Sequence, residues 1–205
     1  MKVLEDIALK TAETLALKHE EVRIAEEQLA NLRAKADAAI MAAKREEEKM
    51  LELDKYKLIL TELDLLEINR LREIAPYFRN PRAIYKIIWE SYYRNITNDL
   101  INRIIGTETK TGIYKITNLN NQKTYIGQST DIAARLKEHI KCGLGLDAPN
   151  NILYSAMFAE GVENFSFEVI EECGRESLND REIYWIDFYH SREYGYNMTR
   201  GGARK

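Results

Sequence analysis

The sequence predicts an α+β protein in which an all-α region precedes a small domain of β-hairpin, helices, third strand and final helix. All ten glycines lie at Gly106 or beyond, and the first proline is Pro76. The preceding residues are rich in Ala, Leu, Glu and Lys, which favour helix. From Thr111 onward, short runs of β-forming residues alternate with turn residues. The chain therefore divides into three predicted domains, 1–55, 56–106 and 107–205.

The composition indicates a folded chain without a membrane segment. With 205 residues, 45% hydrophobic and 31% charged, it is long enough for one or two compact domains. No apolar run is long enough to span a bilayer, and the first residues lack the apolar stretch of a secretory signal. The two cysteines, Cys142 and Cys173, stand in no zinc-ligand or disulfide pattern. We expect a cytoplasmic protein, and its net charge of −3 requires any nucleic-acid contact to be local.

A heptad repeat runs through the first fifty residues. Seven consecutive positions of this repeat are apolar: Ala8, Leu15, Val22, Leu29, Ala36, Ala43 and Met50. Polar residues interrupt the companion row. A helix of this length is roughly 80 Å long and is expected to project or to pair with a partner. We predict an imperfect coiled coil that makes a homo-oligomer, most simply a dimer; the alternative is a solitary helix stabilised by charge pairs.

The residues that follow, up to 106, are predicted to form a short helical bundle. From residue 51 the apolar residues are too dense for one stripe, which indicates a helix covered on more than one side. Asn80 and Pro81 resemble an N-cap and a first helical residue. They would open a helix to about Arg94, followed by a second short helix over about 98–105.

Residues 76–110 are the one locally basic stretch, with six basic and three acidic side chains beside several aromatic ones. Aromatic residues interleaved with arginine can hold nucleic acid. The same spacing is also typical of helices packed on their neighbours, and we favour packing.

The last domain begins with a predicted β-hairpin. The runs 112–117 and 123–127 have strand character and flank a turn of Asn and Gln residues. The remaining predicted elements are a helix capped by Thr130 or Asp131, a connecting helix, a strand over 164–170, and a helix with a capping-box-like start at Ser177.

Two tripeptides of this hairpin carry a recognisable pattern. They are Gly112-Ile113-Tyr114 and Tyr125-Ile126-Gly127, with ten residues between them. On these residues the sequence resembles the GIY-YIG nuclease family, over about residues 110–203. The family pattern continues with an arginine and a histidine on the next helix, a glutamate on a later helix and an asparagine near the end. This sequence supplies Arg135, His139, Glu182 and Asn197 in that order.

The spacing of these residues supports a shared site independently of the resemblance. Arg135 and His139 are four residues apart on one predicted helix, hence about 40° apart on its surface, so both can project into one site. Glu182 falls on the apolar stripe of its own predicted helix. An inward-facing carboxylate needs a partner, either a metal ion or cationic groups. The plain alternative is an ion pair with Arg181 or Arg135.

The resemblance implies metal-dependent hydrolysis of phosphodiester bonds. Tyr114 would act as general base, linked to His139; alternatively His139 takes the proton directly, which its ordinary pKa of about 6.5 suits. Tyr125 and Arg135 would hold the scissile phosphate. The complete set of predicted catalytic residues is Tyr114, Tyr125, Arg135, His139, Glu182 and Asn197, where Glu182 would bind one Mg²⁺ or Mn²⁺ and Asn197 would support the site.

The helical half resembles the regions that precede such nucleases in bacterial and phage-related proteins, some linked to defence against foreign DNA. The function we expect is a DNA endonuclease that these helices position or oligomerise. The sequence ends a few residues beyond Asn197, so we expect no downstream recognition module. The alternatives are a catalytically passive interaction protein in which the coiled coil carries the function, and a purely structural helical adaptor.

Overall fold

A computed structural model describes residues 2–146 and 151–202, with side chains from residue 9 onward. The chain divides into two compact units, residues 1–50 and 51–205. Helix α1 (Lys2–Asp54) makes up the first unit and extends into the second. Within the described residues, no helix combines the length and the apolar character that a membrane crossing requires.

The side chains of α1 are exposed from Leu9 to Met50. The predicted apolar row is therefore solvent-facing within this single chain, except for Ala8, whose side chain lies outside the described residues. The long helix itself is confirmed, whereas the coiled coil and the three domain boundaries stay predictions.

The sequence predicts a helix that continues past residue 51, but α1 ends at Asp54. A tertiary contact binds the carbonyl group of this last residue. Residues 55–61 leave the helix, and Arg103 donates to the carbonyl oxygens of Asp54 and Lys57 at 2.7 and 2.8 Å. Helix α2 (Glu62–Ile74) then begins with a capping box at Thr61. The capping box is a local signal for the start of α2, whereas the Arg103 contacts are long-range hydrogen bonds that local sequence does not reveal.

The next two predicted helices form one nearly continuous helix. It consists of α3 (Pro81–Ile88), a π-helical turn (Trp89–Tyr93) and α4 (Arg94–Ile104). The expected break near residue 97 is therefore wrong: the π turn keeps the chain helical while it buries Trp89 and Tyr93. Pro81 occupies the first helical position as predicted, but the Asn80 side chain makes no capping hydrogen bond.

The remainder of the chain is the predicted α+β domain. Strands β1 (Gly112–Asn118), β2 (Thr124–Ser129) and β3 (Phe165–Glu172) form an antiparallel sheet in the order β2-β1-β3. The helices are α5 (Ile132–Gly143), α6 (Ile152–Glu160) and α7 (Leu178–Phe188). The predicted hairpin and third strand are confirmed. Ser177 precedes α7, but its side chain makes no capping hydrogen bond.

The sheet separates two hydrophobic cores. Tyr114 and Ile116 of β1 belong to the larger core, which includes α5 and α6, whereas Ile113 packs with Ile126 and with Ile186 of α7. This division follows from strand geometry, in which successive side chains point to opposite faces. It places residues of the two tripeptides on both sides of the sheet.

Candidate active site

The glycines of the two tripeptides allow close approach of neighbouring groups. A Cβ atom on Gly127 would overlap the Tyr114 phenol, and one on Gly112 would overlap the Glu171 carbonyl oxygen. Tyr114 and Gly127 face each other in the β1–β2 register. Gly127 therefore provides the space in which the Tyr114 ring lies across β2.

Tyr114 contacts His139 of helix α5 in the interior. The Tyr114 hydroxyl lies 2.8 Å from His139 Nε2, and both residues are fully buried. Asp131 caps this helix by accepting from the Ala134 N–H at 2.9 Å, which supports one of the two predicted caps. Burial, and then the positive charge of Arg135, lower the pKa of His139 to about 3. His139 is therefore a neutral imidazole near pH 7.

Tyr154 is a third member of this network that sequence reasoning missed. Its hydroxyl lies 2.9 Å from His139 Nδ1, and the residue is buried. A neutral imidazole carries one N–H donor and one acceptor nitrogen, so one tyrosine donates to it and the other accepts from it. No local signal identifies Tyr154, because an aromatic residue on a short apolar helix has the pattern of an ordinary core residue.

Arg135 is the cation of the site. Its side chain is 35% exposed and pairs with Glu138 at 2.6 Å. Burial lowers the pKa of Arg135, but the Tyr114 phenol and the Glu138 carboxylate raise it by more, so the guanidinium stays charged. Burial raises the pKa of both Tyr114 and Tyr125, and the Arg135 charge opposes that rise. Arg135 therefore favours the ionised form of each phenol.

Glu182 of α7 is half-buried and held by amide groups. Its Oε2 atom accepts from Gln128 Nε2 at 3.0 Å and from the Gly202 N–H at 2.8 Å. Gln128, on β2, was not among the predicted site residues, although it directly follows the second tripeptide. Neither ion pair considered for Glu182 forms, because Arg181 bonds to Glu171 and Arg135 bonds to Glu138. Among the described residues, no cationic side chain forms an ion pair with the Glu182 carboxylate.

The side chain of Asn197 bonds to the backbone of strand β2. Its Oδ1 atom accepts from the Ile126 N–H and its Nδ2 atom donates to the Ile126 carbonyl oxygen, both at 2.8 Å. Ile126 lies between Tyr125 and Gly127. This double contact fixes Asn197 against β2, and its predicted role in supporting the site stays a prediction.

A polar cavity of about 190 Å³ opens beside these groups, with Tyr125, Glu182 and Asn197 among its lining residues. Among the described residues no cluster of three or more His, Cys, Asp or Glu side chains could hold a metal ion. One carboxylate in a polar cavity nevertheless fits Mg²⁺, which keeps several waters and is commonly bound through one or two carboxylates and a substrate phosphate.

Comparison with known proteins identifies a family over this part of the chain. Residues 110–197 match the GIY-YIG catalytic domain. Intron-associated endonuclease 1 of Enterobacteria phage T4 is 33% identical over 92 residues, which cover 44% of this chain and 37% of the phage protein. This chain therefore aligns with little more than a third of that curated relative.

Two solved structures are also similar. One is a mutant catalytic domain of intron endonuclease I-TevI, with 28% identity and a TM-score of 0.40, covering 46% of this chain and 99% of that one. The other is the catalytic domain of homing endonuclease I-TevI, with 30% identity and a TM-score of 0.38, covering 44% of this chain and 99% of that one.

Proposed function

Because residues 110–197 are a GIY-YIG catalytic domain, we propose that the chain is a metal-dependent DNA endonuclease that hydrolyses phosphodiester bonds. The observation that carries this proposal is a connected set of groups: Arg135 interacts with the phenols of Tyr114 and Tyr125, and Tyr125 lines one polar cavity together with the Glu182 carboxylate. Phosphodiester hydrolysis needs neutralised phosphate charge, an activated water and a stabilised leaving oxygen. Each requirement has a candidate group here.

Arg135 and Tyr125 are proposed to hold the scissile phosphate. The guanidinium is charged and partly exposed, and Tyr125 lines the cavity. Arginine binds phosphate oxygens well because its planar donors match their geometry. The pair would position the phosphorus atom beside the carboxylate of Glu182.

The proton of the attacking water is proposed to pass into the buried Tyr114–His139 pair. Tyr114 lies behind Tyr125, whose pKa the Tyr114 hydroxyl lowers, so Tyr125 presents the first hydroxyl to the cavity. The ionised form of Tyr114 would be the base: Tyr125 accepts the water proton and passes its own to the Tyr114 oxygen, while the neutral His139 donates its Nε2–H to that oxygen. His139 as the direct base is disfavoured, because it is fully buried and its Nε2 atom is already bonded to Tyr114.

Glu182 is the proposed ligand for Mg²⁺ or Mn²⁺. Its Oε2 atom accepts two hydrogen bonds, which fix the carboxylate and leave Oε1 without a partner among the described residues. When bound, the metal ion supplies positive charge for the oxygens of the phosphate and of the leaving group. The fixed orientation of Glu182 is what this chain contributes.

The proposed activity is tested by incubating the full chain with linear, supercoiled and branched DNA in Mg²⁺, Mn²⁺ or EDTA. We expect cleavage with either metal and none in EDTA. The absence of cleavage on every substrate would overturn the proposal, and equal cleavage in EDTA would remove the metal from it.

We expect Tyr154→Phe to lower kcat roughly tenfold and to leave KM unchanged. The substitution leaves one nitrogen of His139 without its buried partner, which costs about 1–3 kcal/mol, while the Tyr154 ring stays in the core. Steady-state kinetics on a short DNA substrate measures both constants. Tyr85→Phe is the matched control, because Tyr85 packs on Phe158 and its hydroxyl has no hydrogen-bond partner among the described residues. An unchanged kcat would show that Tyr154 does not orient His139.

The N-terminal helix is proposed to join two copies of the chain. A single-site nuclease must act twice to cut both strands of a duplex, and a dimer brings two sites together. The exposed apolar row from Leu15 to Met50 is the candidate interface. A role in defence against foreign DNA also stays a prediction, based on the resemblance of the helical region.

We expect the full chain to sediment as a dimer at tens of micromolar, and Leu15→Glu with Leu29→Glu to make it a monomer. Charges inside a coiled-coil seam oppose association. Leu17→Glu with Ile24→Glu is the matched control, since both residues are exposed but lie off the row. Sedimentation equilibrium measures the mass, and a monomeric wild-type chain would end the dimer proposal.

A further inference from the structure

The structure divides the basic stretch 76–110 into two parts with different surroundings. In the later part the aromatic residues serve packing: Trp89 and Tyr93 are buried, and Tyr92 donates to Glu67 at 2.6 Å. The cations of this part are also engaged. Arg94 pairs with Glu90, Arg103 donates to two backbone carbonyl oxygens, and Lys110 pairs with Glu172. The packing interpretation is therefore correct for residues 89–110.

The earlier part, residues 77–86, holds the other three cations and leaves them without partners. Arg79, Arg82 and Lys86 are exposed, and none makes a hydrogen bond or ion pair within the part of the chain that the structure describes. No acidic residue occurs between positions 74 and 89. Arg82 and Lys86 are four residues apart on α3 and share one face of it, and Arg79 lies in the bend just before this helix. Arg82 and Lys86 thus lie about 6 Å apart along α3, close to twice the rise of roughly 3.4 Å per phosphate on one DNA strand.

Two aromatic side chains beside these cations are also exposed. Tyr77 is 88% exposed and Phe78 is 50% exposed, directly before Arg79. An exposed aromatic ring costs free energy in water unless a partner covers it. Cations that follow a phosphate backbone, next to rings on which bases stack, are the combination that binds single-stranded nucleic acid.

We propose that residues 77–86 form an accessory DNA-binding surface, in which Arg79, Arg82 and Lys86 contact phosphates and Tyr77 and Phe78 stack on unpaired bases. This inference rests on the proposed function and adds a preference for DNA with a single-stranded segment. The surface belongs to the same compact unit, residues 51–205, as the catalytic domain. It provides substrate affinity from outside the active-site cavity.

The first test measures how DNA affinity depends on salt, with binding in EDTA so that cleavage does not interfere. The cation variant carries Arg79→Gln, Arg82→Gln and Lys86→Gln. We expect the slope of log K against log salt to fall by about 2.7 for duplex DNA and about 2.1 for a single strand, if each cation contacts one phosphate. The control variant, Arg23→Gln, Lys49→Gln and Arg94→Gln, removes the same charge from residues that already pair with carboxylates. It should change the slope little.

The second test separates stacking from charge. Tyr77→Ser with Phe78→Ser should weaken single-strand binding at least about fivefold and duplex binding much less, because paired bases offer no open face. Leu63→Ser with Leu66→Ser removes two other exposed apolar side chains and should have no effect. Circular dichroism of each variant confirms that the fold is kept.

The outcomes distinguish this surface from the nuclease proposal. If the wild type cuts DNA and the cation variant binds it with an unchanged slope, the surface proposal fails and the nuclease proposal stands. If the wild type binds DNA through residues 77–86 but cuts none, the nuclease proposal fails instead. Stronger binding to vesicles of anionic lipid than to DNA, lost in the cation variant, would assign the surface to membranes and overturn the inference.

Discussion

We expect the Glu182→Ala variant to cut DNA at least about 10³-fold more slowly than the wild type, in Mg²⁺ or Mn²⁺. Glu182 is the one carboxylate among the described residues that line the cavity, and a bound metal ion supplies several kcal/mol of stabilisation to the transition state. Glu182 is half-buried, and among the described residues its side chain bonds only to Gln128 and Gly202. Its removal should therefore leave the fold intact.

Two further variants test this assignment: one separates charge from shape at position 182, and the other is a control on the same helix. Glu182→Gln keeps an oxygen acceptor for the two amide donors but has no negative charge, so it should be as inactive as the alanine variant. Asp180→Ala removes an exposed carboxylate from the same helix and should retain full activity. Thermal melts compare the folds. Cleavage by Glu182→Ala at the wild-type rate would contradict the assignment.

Arg135→Ala should lower kcat/KM at least about 10²-fold, since removing one preorganised charge stabiliser typically costs that much. The loss has two physical parts. The phosphate loses its cation, and Tyr114 and Tyr125 lose the charge that lowers the pKa of each. Without Arg135 both phenols ionise at higher pH, so the rise of the rate with pH, which depends on the ionised Tyr114 base, should move to higher pH.

The controls for Arg135 lie on the same helix. Lys137→Ala removes a cation that donates to Asn98, away from the cavity, and should have little effect. Arg135→Lys keeps the charge but not the planar donors, so it should recover part of the lost rate. A loss below threefold in Arg135→Ala would place this residue outside the catalytic machinery.

The elements of the catalytic domain could be predicted because their signals are local. The hairpin follows from alternation around a turn, and a cap at Thr130 or Asp131 follows from their place before an apolar stripe; the structure uses Asp131. The helical period also brought Arg135 and His139 to one side of α5. The partners Tyr154 and Gln128 could not be found in this way, because their contacts join residues that are distant in sequence.

The errors in the helical half have the same origin. The sequence at residues 55–61 contains no glycine or proline, yet the helix ends at Asp54, where Arg103 binds the carbonyl oxygens of Asp54 and Lys57. The break expected between two helices near residue 97 does not occur. Thr97 is buried and lies within one continuous helix. In both places tertiary contacts outweigh local propensity, which is a weak determinant over a few residues.

Other parts of the chain occupy backbone groups on both outer strands of the sheet, which limits strand pairing between molecules. An uncovered strand offers unpaired backbone groups to other molecules and promotes aggregation. On the β2 side, Asn197 occupies the N–H and carbonyl of Ile126, and the Tyr196 N–H donates to Thr124 at 2.8 Å. On the β3 side, the Phe167 N–H donates to Tyr56 at 2.8 Å. The Asn197 amide that is predicted to support the site thus also shields this sheet from intermolecular strand pairing.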